Sequence, residues 1–302
     1  MHFNQNAKKP LLTLASLLLT TNATWVCAQD DAPKVESEKV TDSIYMITGR
    51  GGNVGLFIGD ETTILIDDKF APLSEVITQE VASITKTPIE YLLNTHYHGD
   101  HTGGNVNFGK AGTTIVAHDN VRKILASGGE IKAFNSKFEP LEKAGLPSIT
   151  FNDKISFHVN GETVTLEHYP NAHTDGDGVV FFENENVVHT GDVFFNGRYP
   201  FIDLSNGGSV QGTIAAIDNI AAKINDSTKV IPGHGPQGNK KDMIAYRDML
   251  EKSLAIVAEL KNQGLSMDEV KAKLPLAELD KTWGEGGMKP EVWVTIVYSS
   301  LD

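Results

Sequence analysis

A predicted buried strand, Ile89–Asn94, runs without a linker into His96-Tyr97-His98-Gly99-Asp100-His101. Three imidazoles and a carboxylate in one short stretch leave the fold little freedom. The chain has to turn sharply at a strand end so that several polar side chains converge on one point. Gly99 and Gly103-Gly104 permit that turn, since glycine reaches backbone conformations closed to other residues. Three more side chains of the same kinds close predicted strands: His173 after Tyr169-Pro170-Asn171, Asp192 after Thr190-Gly191, and His234 after Pro232-Gly233. Neutral imidazole and carboxylate are zinc ligands, and strand-end loops can present them together. A lone loop histidine is unremarkable; this ordered series points to a metal site.

The surrounding pattern alternates strands with helices. Strands are predicted over Ser43–Thr48, Gly55–Ile58 and Thr63–Ile66, the last ending in Asp67-Asp68. A helix follows over Leu73–Ile84, with Ser74 as its expected cap. Thr113–Ala117 is a further strand, leading to a helix near Asn120–Ala126. Periodicity weakens over 127–147, which reads as an insertion or mobile loop whose Phe134 and Phe138 would suit an apolar lid. Strands near Ile155–Val159, Val164–Tyr169, Val179–Phe182 and Val187–His189 precede a helix over Gln211–Ile224 and the strand Val230–Ile231. Beyond Asn239 the character is helical: Met243–Leu260, Met267–Leu274 and Glu291–Ser299. Such an order argues for two sheets faced by helices, with a helical extension at the end.

The N-terminal residues have the layout of a secretory signal peptide. Lys8 and Lys9 precede the apolar run Leu11–Leu19, and Val26 and Ala28 offer a cleavage site. The expected organisation is therefore a signal over 1–28, a flexible leader over 29–41, a catalytic domain over 42–238 and the helical extension over 239–302. A periplasmic or secreted protein without stable membrane insertion follows. Removing Lys8 and Lys9 takes the 26 basic residues to 24 against 39 acidic ones, a net of −15. That charge repels phosphate backbones and disfavours a nucleic-acid partner, leaving a small molecule as the expected one. The single cysteine, Cys27, falls inside the signal, so the remainder has no thiol for a disulfide, a nucleophile or a sulfur ligand. Nothing in the sequence bears on oligomeric state.

His96-X-His98-X-Asp100-His101, taken with His173, Asp192 and His234, resembles the ligand set of the metallo-β-lactamase superfamily. The resemblance covers about residues 42–236 and includes Asp67 at a strand end, Thr190-Gly191-Asp192 and Gly233-His234-Gly235. It implies an α/β (α+β) fold, a four-layer αββα sandwich with the metals at one edge. It further implies two Zn²⁺ per chain: one held by His96, His98 and His173, the other by Asp100, His101 and His234, with Asp192 bridging. The implied chemistry is attack of a metal-bridging hydroxide on the carbonyl of a small cyclic amide, lactone or ester, β-lactams among them. Asp100 would act as the catalytic carboxylate that orients the hydroxide and takes its proton. Branches with a cysteine ligand are excluded, and the full set is nearer to the glyoxalase II and lactonase branches. A glyoxalase II-type thioesterase is one alternative, although export separates the chain from a cytosolic thioester. The other is a mononuclear iron sulfur dioxygenase with a similar ligand set.

Further candidates follow from position. Asp67 and, more weakly, His118 would support the ligands from behind. Arg198 and Tyr199, soon after Asp192, would meet a substrate carboxylate and a developing oxyanion. His158, His168 and His189 lie on or beside predicted strands and read as structural.

Overall fold

Along each strand, side chains alternate between the two faces of a sheet, and here both faces are apolar. The computed structural model describes residues 34–301. Its first sheet holds β1 (Val35–Lys39), β2 (Ile44–Gly49), β3 (Val54–Phe57), β4 (Thr63–Ile66), β5 (Ile89–Leu93) and β6 (Thr114–His118) in that order, closed by β9 (Ile149–Phe151). The first four strands form an antiparallel meander, and β4, β5, β6 and β9 run parallel. The second sheet runs β10 (Lys154–Val159), β11 (Glu162–His168), β12 (Gly178–Phe182), β13 (Val187–His189), β14 (Lys229–Ile231) and β15 (Gly238–Asn239). Within it only the β13–β14 pair is parallel.

Ile64 and Ile66 point between the sheets and meet Val164, Leu166 and Val180. Leu65, one residue out of phase, points the other way, into a layer with Ile77 and Val81 of helix α1 (Ser74–Ile84). The second sheet repeats the scheme. Val180 and Ile231 face inward, while Val179, Val188 and Val230 pack under α5 (Val210–Lys223) and α6 (Lys240–Asn262). The result is the four-layer αββα sandwich. The remaining helices are α2 (Gly99–Thr102), α3 (Asn105–Lys110), α4 (Asp119–Ser127), α7 (Met267–Ala272), α8 (Ala277–Trp283) and α9 (Pro290–Ser299). The helices after Asn239 lie on the outer face of the second sheet, with Tyr246 and Trp293 wholly buried in that layer.

Several expectations need revision. Val35–Lys39, placed in the flexible leader, is an edge strand paired with β2. Glu36 and Glu38 hide it from the sequence pattern, because an edge strand needs only half its side chains apolar. The rest of that leader before residue 34, and the signal segment 1–28, lie outside the described residues. Ser74 is the first helical residue rather than a cap; its Oγ accepts from Asn107 Nδ2 at 3.0 Å. The stretch 127–147 contains a hairpin, β7 (Gly129–Ile131) and β8 (Ser136–Phe138). The short α8 also escaped the pattern.

Candidate metal centre

Parallel strands end at a common edge, and this places the polar turns together. Asp67 leaves β4, His96 follows β5, Asp192 follows β13 and His234 follows β14; His173 lies beyond β11, which runs in the same sense as β13. Cross-sheet bonds pin that edge: Gly178 N–H donates to Thr95 O at 2.6 Å, and Asn53 N–H to Gly233 O at 2.7 Å. Close approach requires glycine at two points. A Cβ on Gly52 would sit 2.1 Å from the His101 ring, and one on Gly233 would sit 2.1 Å from Asp192 Oδ1.

The structure brings all seven side chains together, in two groups. His96, His98, His173 and Asp192 form one, and Asp100, His101 and His234 the other. Asp192 reaches both: its Oδ2 lies 3.8 Å from His96 Nε2, 3.5 Å from His173 Nε2 and 3.4 Å from His234 Nε2, and its Oδ1 lies 3.1 Å from His101 Nε2. Asp100 Oδ2 is 3.3 Å from His234 Nε2 and 3.7 Å from His101 Nε2.

Whether a cation fits is decided by where the protons are. His173 Nδ1 donates to Phe201 O at 2.8 Å, so its Nε2 carries a lone pair. His101 Nδ1 donates to Asp67 Oδ2 at 2.7 Å, which turns Nε2 towards Asp192 and Asp100; despite burial, these carboxylates hold the ring well above the ordinary imidazole range. His98 is turned over: Nε2 donates to Asp203 Oδ2 at 3.2 Å, leaving Nδ1 bare. Thr95 Oγ1 spends its hydrogen on Asp67 Oδ2, so at 3.0 Å it accepts from His96 Nδ1. The bare nitrogens then face one another, with His98 Nδ1 3.1 Å from His96 Nε2 and 2.8 Å from His173 Nε2. Buried lone pairs at such spacing repel unless a cation lies among them. A tetrahedral zinc with bonds of about 2.0–2.1 Å sets its ligands about 3.3 Å apart, the spacing seen here. His101 Nε2 and Asp192 Oδ1 tell the same story, being buried and close yet without a hydrogen bond. The residues present fit a metal.

The electrostatics agree. Burial, and the His98 and His101 imidazoles against the opposing pull of Asp192, bring His173 down to about 4. Burial also lowers His234, but Asp192 and Asp100 outweigh it and lift the ring to about 9. Asp192 is held well below the ordinary carboxylate range despite its burial, because His101 and His234 favour its charge. Anionic carboxylates and protonatable imidazoles in one buried pocket are a set that trades protons for a cation.

Other candidates fare differently. Asp67 is fully buried, with Oδ1 accepting from Thr95 N–H at 2.7 Å, and its backbone is left-handed with φ 63°. His118 is not behind the ligands. It accepts from Asn120 N–H at the start of α4 and stacks on His168 at 3.7 Å, a strand-end position without a ligand to support. Tyr199 is no oxyanion donor: it is 1% exposed, its hydroxyl donates to Asp280 Oδ1 at 2.8 Å, and its ring stacks on Trp293. Arg198 does line the cleft above the cluster. Phe138 stacks on Tyr97 and Phe134 leans on Phe201, so the hairpin forms part of the cleft wall. Two partners were missed. Asp203 holds His98 and also accepts from Tyr97 Oη, Ser205 and Asn206. Lys69, fully buried with φ 60°, donates to Gly52 O behind His101, and burial lowers it to about 8.

Sandwich and cluster together are those of a metal-dependent hydrolase. A family model described as the metallo-beta-lactamase superfamily matches residues 47–234, and the chain belongs to that superfamily. It is 25% identical over 248 residues to a beta-lactamase-like protein 2 homolog of Caenorhabditis elegans, covering 76% of each chain. A hydroxyacylglutathione hydrolase of Pelagibacter ubique is 27% identical over 184 residues, 59% of this chain and 64% of that one. Among solved structures, a metallo-beta-lactamase from Pontibacter korlensis superposes with TM-score 0.59 at 19% identity, over 72% of this chain and 99% of the other. A sec-alkylsulfatase from Pseudomonas sp. gives 0.65 at 18%, over 88% of this chain and 50% of that one. These two share the fold.

Proposed function

We propose that this metal-dependent hydrolase carries two zinc ions and cleaves a small cyclic amide, lactone or ester, and that it does so after export. The observation carrying the reading is the double reach of Asp192, which lies within 3.8 Å of His96 and His173 on one side and within 3.4 Å of His101 and His234 on the other. A carboxylate so placed suits a pair of cations better than one. An all-nitrogen and oxygen donor set with no thiol is compatible with zinc.

Bound there, the metals would supply an acidified water and a polarised carbonyl. His96, His98, His173 and Asp192 would hold one, and Asp100, His101 and His234 the other. The chain's own contribution is orientation and proton handling. Asp67, Asp203 and the Phe201 carbonyl fix the tautomers and ring planes of His101, His98 and His173. Asp100, which opens onto the cleft while His101 and His234 favour its charge, would take the proton of the attacking water. The likeness to a hydroxyacylglutathione hydrolase adds thioesters to the substrates worth testing.

Elemental analysis of the purified protein, alongside assays on a β-lactam, a lactone and a thioester, tests the reading. About two zincs per chain with turnover of one class is the expected result; one iron and no hydrolysis would replace it with oxidative chemistry. Asp100→Asn should keep the fold and lose most turnover. Export rests on Lys8, Lys9 and Leu11–Leu19. The mass of the protein recovered from the periplasm would reveal cleavage near Ala28, and an intact chain in the cytosol would refute it.

A further inference from the structure

Strand β13 turns Val187 towards the layer between the sheets and Val188 towards the helices, so position 189 faces inward, where the pattern calls for an apolar side chain. His189 stands there instead, fully buried. Room for the ring comes from β3, since a Cβ on Gly55 would lie 2.9 Å from His189 Cδ2. Burial lowers the imidazole to about 4 and keeps it neutral. Its Nδ1 accepts from Gly191 N–H at 3.2 Å, which puts the ring proton on Nε2. That nitrogen, on the side of the Asn53 backbone, closes no hydrogen bond among the described residues. A leucine would fill the same layer without stranding a polar atom, so packing does not account for the ring.

The Nδ1 bond is what a leucine cannot make. It joins a strand-end side chain to the N–H two residues on, the ring closure that asparagine and aspartate make in Asx turns. His118 makes the same bond to Asn120 N–H, also at 3.2 Å, where β6 ends, but there no ligand follows. After His189 the turn delivers Asp192, which reaches both halves of the cluster. Other bonds hold this turn from the opposite side: Thr190 N–H donates to Ile231 O at 3.0 Å, and Gly191 O accepts from Gly233 N–H at 2.8 Å. With both its N–H and its carbonyl bonded, Gly191 is fixed, and the Asp192 side chain leaves the backbone in one direction.

Resting on the reading of Asp192 as the carboxylate shared by two metals, we infer that His189 is its positioning residue: the Nδ1 bond to Gly191 N–H aims Asp192 so that its two oxygens reach both sites at once. Being buried, the ring touches no substrate and moves no proton in the reaction.

The test compares full-length wild type, His189→Leu and His189→Asn by zinc competition with a chromophoric chelator and by the visible spectrum of the cobalt-substituted protein. Asparagine keeps an acceptor that an Asx turn places on Gly191 N–H; leucine keeps the bulk alone. His189→Leu should bind zinc about 10–100-fold more weakly and shift the cobalt bands, while His189→Asn recovers most of the affinity and the wild-type spectrum. A ring that merely filled space would favour leucine over asparagine. Wild-type affinity and spectrum in His189→Leu, or a defect as deep in His189→Asn, therefore overturns the inference. One measurement needs no variant: ring-nitrogen chemical shifts of the isotope-labelled wild type should show His189 protonated on Nε2. A wild type that takes up no metal overturns the two-metal reading beneath the inference, whereas normal uptake with the proton on Nδ1 overturns the inference alone.

Discussion

Asp67→Asn isolates one buried charge. The left-handed backbone at residue 67 suits asparagine as well as aspartate, so the main chain has no reason to move. The carboxylate accepts three hydrogen bonds: from Thr95 N–H on Oδ1, and from Thr95 Oγ1–H and the His101 ring on Oδ2, each at 2.7 Å. An amide has one oxygen. With its NH₂ on the Oδ2 side it confronts two donors, and with its NH₂ on the Oδ1 side it confronts the Thr95 N–H. Loss of charge-assisted hydrogen bonds at about 1.5–3 kcal/mol, with a buried donor stranded at about 1–3 kcal/mol, gives a destabilisation of roughly 3–5 kcal/mol. The alternative is for His101 to move its proton to Nε2, which removes it as a ligand. Metal affinity should therefore fall by about 10–100-fold. Competition with a chromophoric chelator reads the affinity, and thermal unfolding of the metal-free protein reads the stability, with an expected fall of roughly 6–20 °C. Wild-type values in both assays would mean that the Asp67–His101 bond neither fixes the tautomer nor holds the turn.

Three other outcomes follow from the same geometry. Burial, helped by the neighbouring His168, lowers His118 from 6.5 to about 4, so the folded state stays neutral while the unfolded chain takes up a proton below pH 6.5. Its penalty is absent above that pH and grows to roughly 2–3 kcal/mol as pH falls towards 4; His118→Asn should flatten denaturant-measured stability over that window. Tyr199→Phe removes only the hydroxyl bonded to the half-buried Asp280, so it should cost about 1 kcal/mol and change kcat less than about twofold. A large fall in kcat would return Tyr199 to the chemistry. Stripping the metal leaves the facing lone pairs of His96, His98 and His173 uncompensated. At a thousandfold excess over Kd the bound metal contributes about 4 kcal/mol, so chelation should lower Tm by roughly 8–16 °C, reversed by added zinc.

The seven-residue cluster was legible in the sequence because its members fall in turns that follow strands, and parallel strands carry their ends to one edge. The layers were legible in the order of strand blocks and helices, and the structure supplies the packing reason: Ile64 and Ile66 face one apolar layer and Leu65 the other. What sequence could not supply were the groups standing behind the ligands. His98 and Asp203 are 105 residues apart, and only the packing of the 201–206 turn against His173 brings them together, through Asp203 N–H donating to His173 O. Tyr199 failed for the opposite reason. Its place in the chain beside Asp192 promised the metal cleft, but Trp293 and Asp280 of the C-terminal helices claim its ring and hydroxyl. Arg198, its immediate neighbour, lines the cleft instead, with no ion pair or hydrogen bond among the described residues. The C-terminal extension therefore sets the fate of this short loop, burying Tyr199 while Arg198 stays on the cleft wall.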